Sequence, residues 1–332
     1  MPTVSALGAQ GTGLAQPPVV LLNTANAVTQ KYVIPVLGDT VLIPSPTFWA
    51  LTRRGKKFSG GSLVYPVLTQ EESTGGAYQG DQILDTSIID SVQPAESQWR
   101  FYRQSITLPI TDVILNRGGA GALDLIKTKY TIMAGSFMMK LCRALWGTAP
   151  QNTSLDIDNI DNWVNGGLTN TIAGIDRSQA ANSWWLPGAA VTISAALSAT
   201  NGEAGYQSVV YGYDEPDTLI LDQTRFANFK TNFTQLIRFI DETQDKEALQ
   251  VGFRYHFVWN NATVLPDRFC PASVGYLLNS NYIFPVFHES DYFVVDPFIK
   301  PSNQRVISST CYLTWQLVCP SPRMHMKYLS LT

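Results

Sequence analysis

The sequence predicts an α+β fold with much of its surface covered by other protein, and three observations carry this. From Gly119 to Trp146 apolar residues recur at three- and four-residue spacing (Leu123, Ile126, Tyr130, Met133, Phe137, Leu141, Ala144), the period of a long helix. Before it, β-prone stretches flank a Gly-rich polar centre from Glu71 to Gly80, and after it come several short strand patterns. Charged residues make up 15% of the 332-residue chain, against roughly 25% in ordinary soluble domains, although its hydrophobic content of 45% is normal. A chain short of charge but not greasy fits a protein that shares much of its surface, because interface cores are depleted in charge.

Residues 1–52 are rich in small and polar types with Pro17, Pro18, Pro35, Pro44 and Pro46, and they read as an extended arm packed on something else. The stretch that follows forms a long two-stranded excursion with a flexible tip, hinged at Gly60–Gly61. A two-stranded ribbon is marginal in water, so it needs an outside surface. The helix over 119–146 would be ~42 Å long. Its second face carries Thr128, Thr131, Gly135, Met138 and Cys142 in place of a charged stripe, so it is contacted on more than one side. "TLILDQTRFANFKTNFTQLIRFIDET" reads as a strand and then a helix with Phe226, Phe229, Phe233, Leu236 and Ile240 on one face. "FRYHFVWNNATVLPD" reads as two strands around an Asn260–Asn261 turn, and the C-terminus ends in strands.

Little here points to catalysis. "NRGGAGALDLIK" has Asp124 where a dinucleotide fingerprint needs glycine, and it lacks the Gly-Lys-Ser/Thr of a phosphate loop. His256, His288 and His325 stand in no metal-ligand spacing, and no serine-hydrolase elbow occurs. Asp267 and Cys270 alone make neither a metal site nor an activated nucleophile. Asp214, Glu215 and Asp217 sit in a Pro-containing turn and read as a solvated loop. No enzyme activity, cofactor or metal is expected. A net charge of −3 gives no global field for nucleic acid, and no apolar run is long enough to span a bilayer. The N-terminus has no signal-peptide pattern, and the N-x-S/T matches at Asn152, Asn232 and Asn261 read as chance. Cys142, Cys270, Cys311 and Cys319 form no disulfide framework, in keeping with synthesis in a reducing compartment.

Two stretches attract attention as contact surfaces. The run "RRGKKF" puts Arg53, Arg54, Lys56 and Lys57 together, suited to acids on a neighbour or to phosphates without sequence reading. "GIDRSQAANSWW" sets Asp176–Arg177 ahead of Trp184 and Trp185. In an extended segment adjacent side chains face opposite ways, so the two tryptophans need partners on two sides. One of them fills the chain's own core and the other faces a second element or a neighbour. Asp176 and Arg177 are expected to pair with each other's neighbours at a turn, worth under ~1 kcal/mol if exposed.

The order of several stretches resembles the major capsid proteins of tailed double-stranded DNA phages, with the Hong Kong 97-type shell fold. They are "KKFSGGSLVYPVL" with "QWRFYRQSITLPITDVILNRGGAGALDLIKTKY", then "GGLTNTIAGIDRSQAANSWW", "TLILDQTRFANF", "VGFRYHFVWNNATVLPDRFCPASVGYLLNSNYI" and "WQLVCPSPRMHMKYLSLT". The resemblance implies an N-terminal arm over 1–54, an extended loop over 55–108, a peripheral domain with a spine helix over 109–149, an axial domain over 150–305, and C-terminal strands over 306–332. It implies self-assembly into pentamers and hexamers of an icosahedral shell around the genome. Scaffolding, portal and decoration proteins are further partners it allows, with non-specific contact to packaged DNA and no membrane. The location implied is the virion, after synthesis in the bacterial cytoplasm. The interface candidates are Arg53, Arg54, Lys56, Lys57, Gly60, Gly61, Glu71, Glu72, Tyr78, Asp176, Arg177, Trp184 and Trp185. Some family members cross-link subunits through a lysine in the extended loop; residues 58–126 contain none, so a non-covalent shell is expected. No long charged helical segment precedes the arm, so no fused scaffolding segment is expected. The alternatives are a same-fold nanocompartment shell that packages an enzyme, or a monomeric sugar-binding protein or hydrolase.

Overall fold

The computed structural model describes residues 45–71, 73–81, 83, 85, 87–115, 125–147, 155–165, 170–233 and 256–332. The expected glycine-rich turn at 116–124, most of the arm, and Leu236 and Ile240 lie outside these residues. By its contacts the chain falls into two units. One comprises Met1–Thr40, Ser105–Ala134 and Pro297–Ser309; the other comprises Val41–Gln104, Gly135–Asp296 and Thr310–Thr332.

In the larger unit a six-stranded sheet runs in the order Val191–Thr192, Met326–Leu329, Gly275–Leu278, Thr218–Leu221, Ala262–Pro266, Phe257–Trp259. Its central strands are continuous apolar runs because both faces are covered. Thr218–Leu221 pairs parallel with Ala262–Pro266 and antiparallel with Gly275–Leu278. The expected turn is present: Asn260 adopts φ +52°, and Ala262 pairs with Trp259. Helix Gln223–Phe233 buries Phe226 and Phe229, as its period predicts, and both rings meet Phe257. Helix Ala199–Ser208 begins with a capping box between Ser198 and Asn201. It lies so close to the sheet that a Cβ at Gly205 would stand 2.6 Å from the Tyr328 ring. The Tyr328 hydroxyl donates to the Gly202 carbonyl at 2.7 Å, so glycine is what permits this approach.

A second sheet runs Lys56–Phe58, Phe284–His288, Val306–Val318, Val294–Val295, with Arg100–Pro109 also pairing to Val306–Val318. The long helix spans Leu125–Trp146, 22 residues and ~33 Å. From Phe137 to Trp146 it is buried almost all round, with Phe137, Met139, Leu141, Cys142, Ala144, Leu145 and Trp146 enclosed, so its two-sided pattern holds. In the smaller unit Leu108 packs with Val113, Ile126, Phe298 and Ile307.

The end of the expected arm departs from an extended reading. Pro46–Thr52 is a helix capped by Ser45, whose side chain accepts from the Phe48 amide, and it buries Phe48 and Leu51. Proline at the first helical position favours such a start. The Ser45 hydroxyl also donates to Asp267, which in addition accepts from Trp146 Nε1 (3.3 Å) and the Phe269 amide (2.9 Å). One buried carboxylate thus ties the Ser45 cap, the end of the long helix and the "DRFCP" turn together. All four cysteines are free and buried.

Candidate functional site

The excursion is a ribbon. Leu63–Leu68 and Val92–Ser97 pair antiparallel in the register Leu63 with Ser97 through Leu68 with Val92. Alternation sorts its side chains into two faces. Leu63, Val67, Ala95 and Ser97 are buried, while Val64, Pro66, Leu68, Val92, Pro94 and Glu96 face out. The outward set is largely apolar, with Leu68 69% exposed. Beyond the paired strands the tip exposes Tyr78, Ile83 (94%) and Ile88 (99%). No other part of the described chain covers these side chains. Phe101, on the strand that leaves the ribbon, is 79% exposed as well.

The base is fixed. Trp99 Nε1 donates to the Gly60 carbonyl at 2.8 Å, and the Glu96 amide donates to Ala173 O at 2.9 Å. Gly60 has φ +154°, a conformation other residues rarely adopt, while Gly61 faces open space. The hinge position is therefore pinned on one side by an indole. Glu71 and Tyr78 are exposed on the tip, and Glu72 lies outside the described residues.

The basic run is not a free loop. Lys56–Phe58 is an edge strand in parallel register with Val286–His288. Arg54 lies 3.5 Å from Asp217 and donates to Asn281, and the Lys56 and Lys57 ammonium groups each sit 4.2 Å above an aromatic ring, of Phe284 and Tyr292 respectively. Arg53 is exposed.

The second candidate stretch requires correction. Ala180–Trp185 is a pair of short 3₁₀ turns kinked at Asn182 rather than an extended segment, and the two tryptophan rings lie 5.6 Å apart instead of on opposite faces. Trp185 is fully buried, packs edge-on against Trp163 at 5.9 Å, and donates Nε1 to Ile172 O. It is the member of the pair that fills the chain's own core. Arg177 is corrected likewise: at 3% exposure it pairs with no acid at a turn. Its guanidinium donates to the carbonyls of Trp185 (3.2 Å), Asn162 (2.7 Å) and Trp163 (3.1 Å), joining three stretches of chain. Burial lowers its pKa to about 10, so it keeps its charge at neutral pH. Burial also raises the pKa of nearby Asp158, opposed by the charges of Arg100 and Arg177. Asp176 closes a local turn with the residues that follow Arg177, accepting from the Ser178 amide and Gln179 Nε2. Trp184 alone stays half-buried. It lines a groove of about 800 Å³ with Leu68, Glu71, Tyr211 and Arg323.

The acids of the "YDEPDT" turn keep contact with solvent, Glu215 being exposed and Asp214 and Asp217 partly so, but each also accepts a hydrogen bond. Asp214 accepts from the Tyr282 hydroxyl (2.7 Å), Glu215 from Tyr206 (3.3 Å), and Asp217 from the Ser280 amide (2.9 Å). They hold the turn to helix Ala199–Ser208 and to the turn after strand Gly275–Leu278, as Lys327 and Tyr276 hold Asp161. Sequence reasoning missed these roles because most of the partners lie far away in the chain, 68 residues for Asp214 and 63 for Asp217. Among the described residues no group of three or more His, Cys, Asp or Glu could hold a metal ion, and no helix is long and apolar enough to cross a membrane.

A ribbon with an apolar outer face, a long helix and a covered six-stranded sheet are the main features of the described residues. The fold is that of a viral capsid subunit. The chain matches the capsid asymmetric unit of cyanophage A-1(L) over 90% of its own length and 96% of the other, with TM-score 0.69 and 15% identity. It matches the capsid of a native GTA particle over 99% of both chains, with TM-score 0.58 and 10% identity. The holo-SrpI encapsulin of Synechococcus elongatus PCC 7942 shares the capsid fold at TM-score 0.56 and 12% identity, covering 89% of this chain and 92% of that one. No protein-family model and no curated protein matches the sequence.

Proposed function

We propose that this chain is the major capsid protein of a tailed double-stranded DNA phage, assembling through copies of itself into pentamers and hexamers of an icosahedral shell. The observation that carries the reading is the capsid fold along 90% of the chain, matched to a phage capsid subunit over 96% of that subunit's length. The ribbon supports it independently. Its outer face and tip present apolar side chains that a monomer leaves in water, and a neighbouring subunit would cover them. The role is structural: repeated contacts gain strength through symmetry. A net charge of −3 suits a wall that confines DNA without gripping it. Scaffolding, portal and decoration proteins would be its other partners, and the virion its place.

A nanocompartment shell is the second reading, favoured by the encapsulin match. Electron microscopy of purified particles with analysis of their contents separates the two. Packaged double-stranded DNA is the expected result; an enclosed protein cargo would favour the nanocompartment, and a soluble chain with no particles would reject both. Boiled particles should run as one monomer band on SDS gels, since residues 58–126 hold no lysine for a cross-link from the loop. A ladder would contradict the non-covalent shell.

A further inference from the structure

Trp184 borders two hollows in the larger unit. One, of about 350 Å³, is lined by Gln70, Asp90, Gln93 and Asn182. The other is the groove of about 800 Å³, where Glu71, Tyr211 and Arg323 also stand. Both fall in the size range of small-molecule sites, roughly 300–1,000 Å³. The indole shared by the two is held firmly. Its ring lies 5.6 Å from that of Trp185, which is fully buried and anchored through Nε1 to Ile172 O. Among the described residues the Trp184 N–H meets no acceptor, and the Tyr211 hydroxyl meets no partner.

The smaller hollow has hydrogen-bonding capacity to spare. Gln70 Nε2 donates to the Asp90 carbonyl at 3.1 Å, and Asn182 Nδ2 donates to the Asp176 carbonyl at 2.8 Å. Among the described residues their side-chain oxygens accept nothing, and the Asp90 carboxylate and the Gln93 amide group make no bond at all. Unused acceptors outnumber unused donors, so a ligand here must bring several donors. In the larger hollow Arg323 lies 5.0 Å from the Tyr211 ring and, among the described residues, pairs with no acid. Glu71 is exposed there and pairs with no base. A carboxylate on one side, and a carboxylate with a guanidinium on the other, favour neither a polyanion nor a polycation. What fits is a neutral molecule with an apolar face for the indole and a rim of hydroxyls that both donate and accept. A pyranose ring has that form, with C–H groups on its face and hydroxyls round its edge.

We propose that the Trp184 site binds a neutral oligosaccharide, with one ring stacked on the indole and its neighbours reaching into both hollows. Asp90 and Glu71 accept from sugar hydroxyls, and Gln93 and Arg323 donate to them. The proposal goes beyond the shell reading and stands on geometry within one chain.

Titration of the purified chain tests it, read by tryptophan fluorescence and by calorimetry. The probes are maltotetraose, cellotetraose and the tetramer of N-acetylglucosamine, with glucose, spermidine and a ten-residue polyproline peptide for comparison. Saturable binding of at least one tetramer is expected, about tenfold or more tighter than glucose, which cannot reach both hollows. Trp184→Ala should weaken that binding about tenfold, the loss of one aromatic contact. Asp90→Asn with Gln93→Ala should weaken it about fivefold with the melting temperature unchanged, since both side chains are exposed. If Trp184→Ala fails to fold, this double variant carries the test. The proposal is overturned if no tetramer saturates, if the variants bind as tightly as the wild type, or if spermidine or the peptide binds more tightly than every sugar. Particle imaging decides the shell reading separately, so the two can fail independently.

Discussion

The central strands of the six-stranded sheet and the strands of the ribbon use similar residues to opposite ends. In Thr218–Leu221 and Gly275–Leu278, leucine, isoleucine and tyrosine are buried on both faces, by helices, aromatic rings and neighbouring strands. In Leu63–Leu68 and Val92–Ser97, the alternation buries Leu63 and Val67 but leaves Val64, Leu68 and Val92 at least half exposed. The first region is complete within one chain. The second is half a core, and on the proposed reading its other half comes from a neighbouring copy. A substitution in the sheet region should therefore be felt by the isolated chain, and one on the outer ribbon face only by the assembly.

Trp185→Ala should show the largest effect on the chain alone. Removing a fully buried indole costs about 3–5 kcal/mol, read as a fall in thermal or denaturant stability. Trp184→Ala, at a half-buried position one residue away, should cost less than half as much. Equal losses would erase the distinction between core and groove drawn for this pair. Arg177→Met comes next. It leaves two buried carbonyls and a part-buried one without this donor and should destabilise the unassembled chain by about 3 kcal/mol. A near-neutral result would mean water replaces the guanidinium.

Acid should act on the sheet region through His325. Its imidazole is buried, accepts from the Asn279 amide at Nδ1, and has its pKa lowered to about 3 by desolvation. Between pH 6.5 and 3 the unfolded chain binds a proton there and the folded chain does not. The contribution of His325 is thus fully present above pH 6.5 and declines as pH falls, by about 2 kcal/mol at pH 5. His325→Asn keeps an acceptor at this position and should flatten the acid limb of the stability profile; an unchanged slope would locate the acid sensitivity elsewhere. The smallest effect on the chain and the sharpest on assembly should come from Leu68→Ser with Val92→Ser. Stability should move within about 0.5 kcal/mol while particle yield drops. A large loss of monomer stability would show that the outer face is already covered.

Much of the fold could be read from periodicity. The long helix, the Phe226–Phe229 face, the Asn260 turn and the ribbon all follow from local spacing and turn chemistry, which a single sequence carries. What could not be read depends on distant partners. Arg177 is a clamp only because folding brings the carbonyls of Asn162, Trp163 and Trp185 around it. Asp217 is an anchor because Ser280, 63 residues away, donates to it. The tryptophan pair misled for a different reason: "AANSWW" has no strong helical period, yet it forms two short 3₁₀ turns about a kink at Asn182, and the two indoles lie near each other. Of the candidate interface residues, those on the ribbon tip and in the basic run remain surface groups, while Arg177 and Trp185 are internal.

The most direct measurement is sedimentation velocity of the purified chain across micromolar concentrations, combined with hydrogen exchange on the ribbon. The account predicts that closed particles appear as concentration rises and that amides of residues 63–97 become protected only in those particles. A species that sediments as one subunit at every concentration, with the same amides already protected, would contradict it.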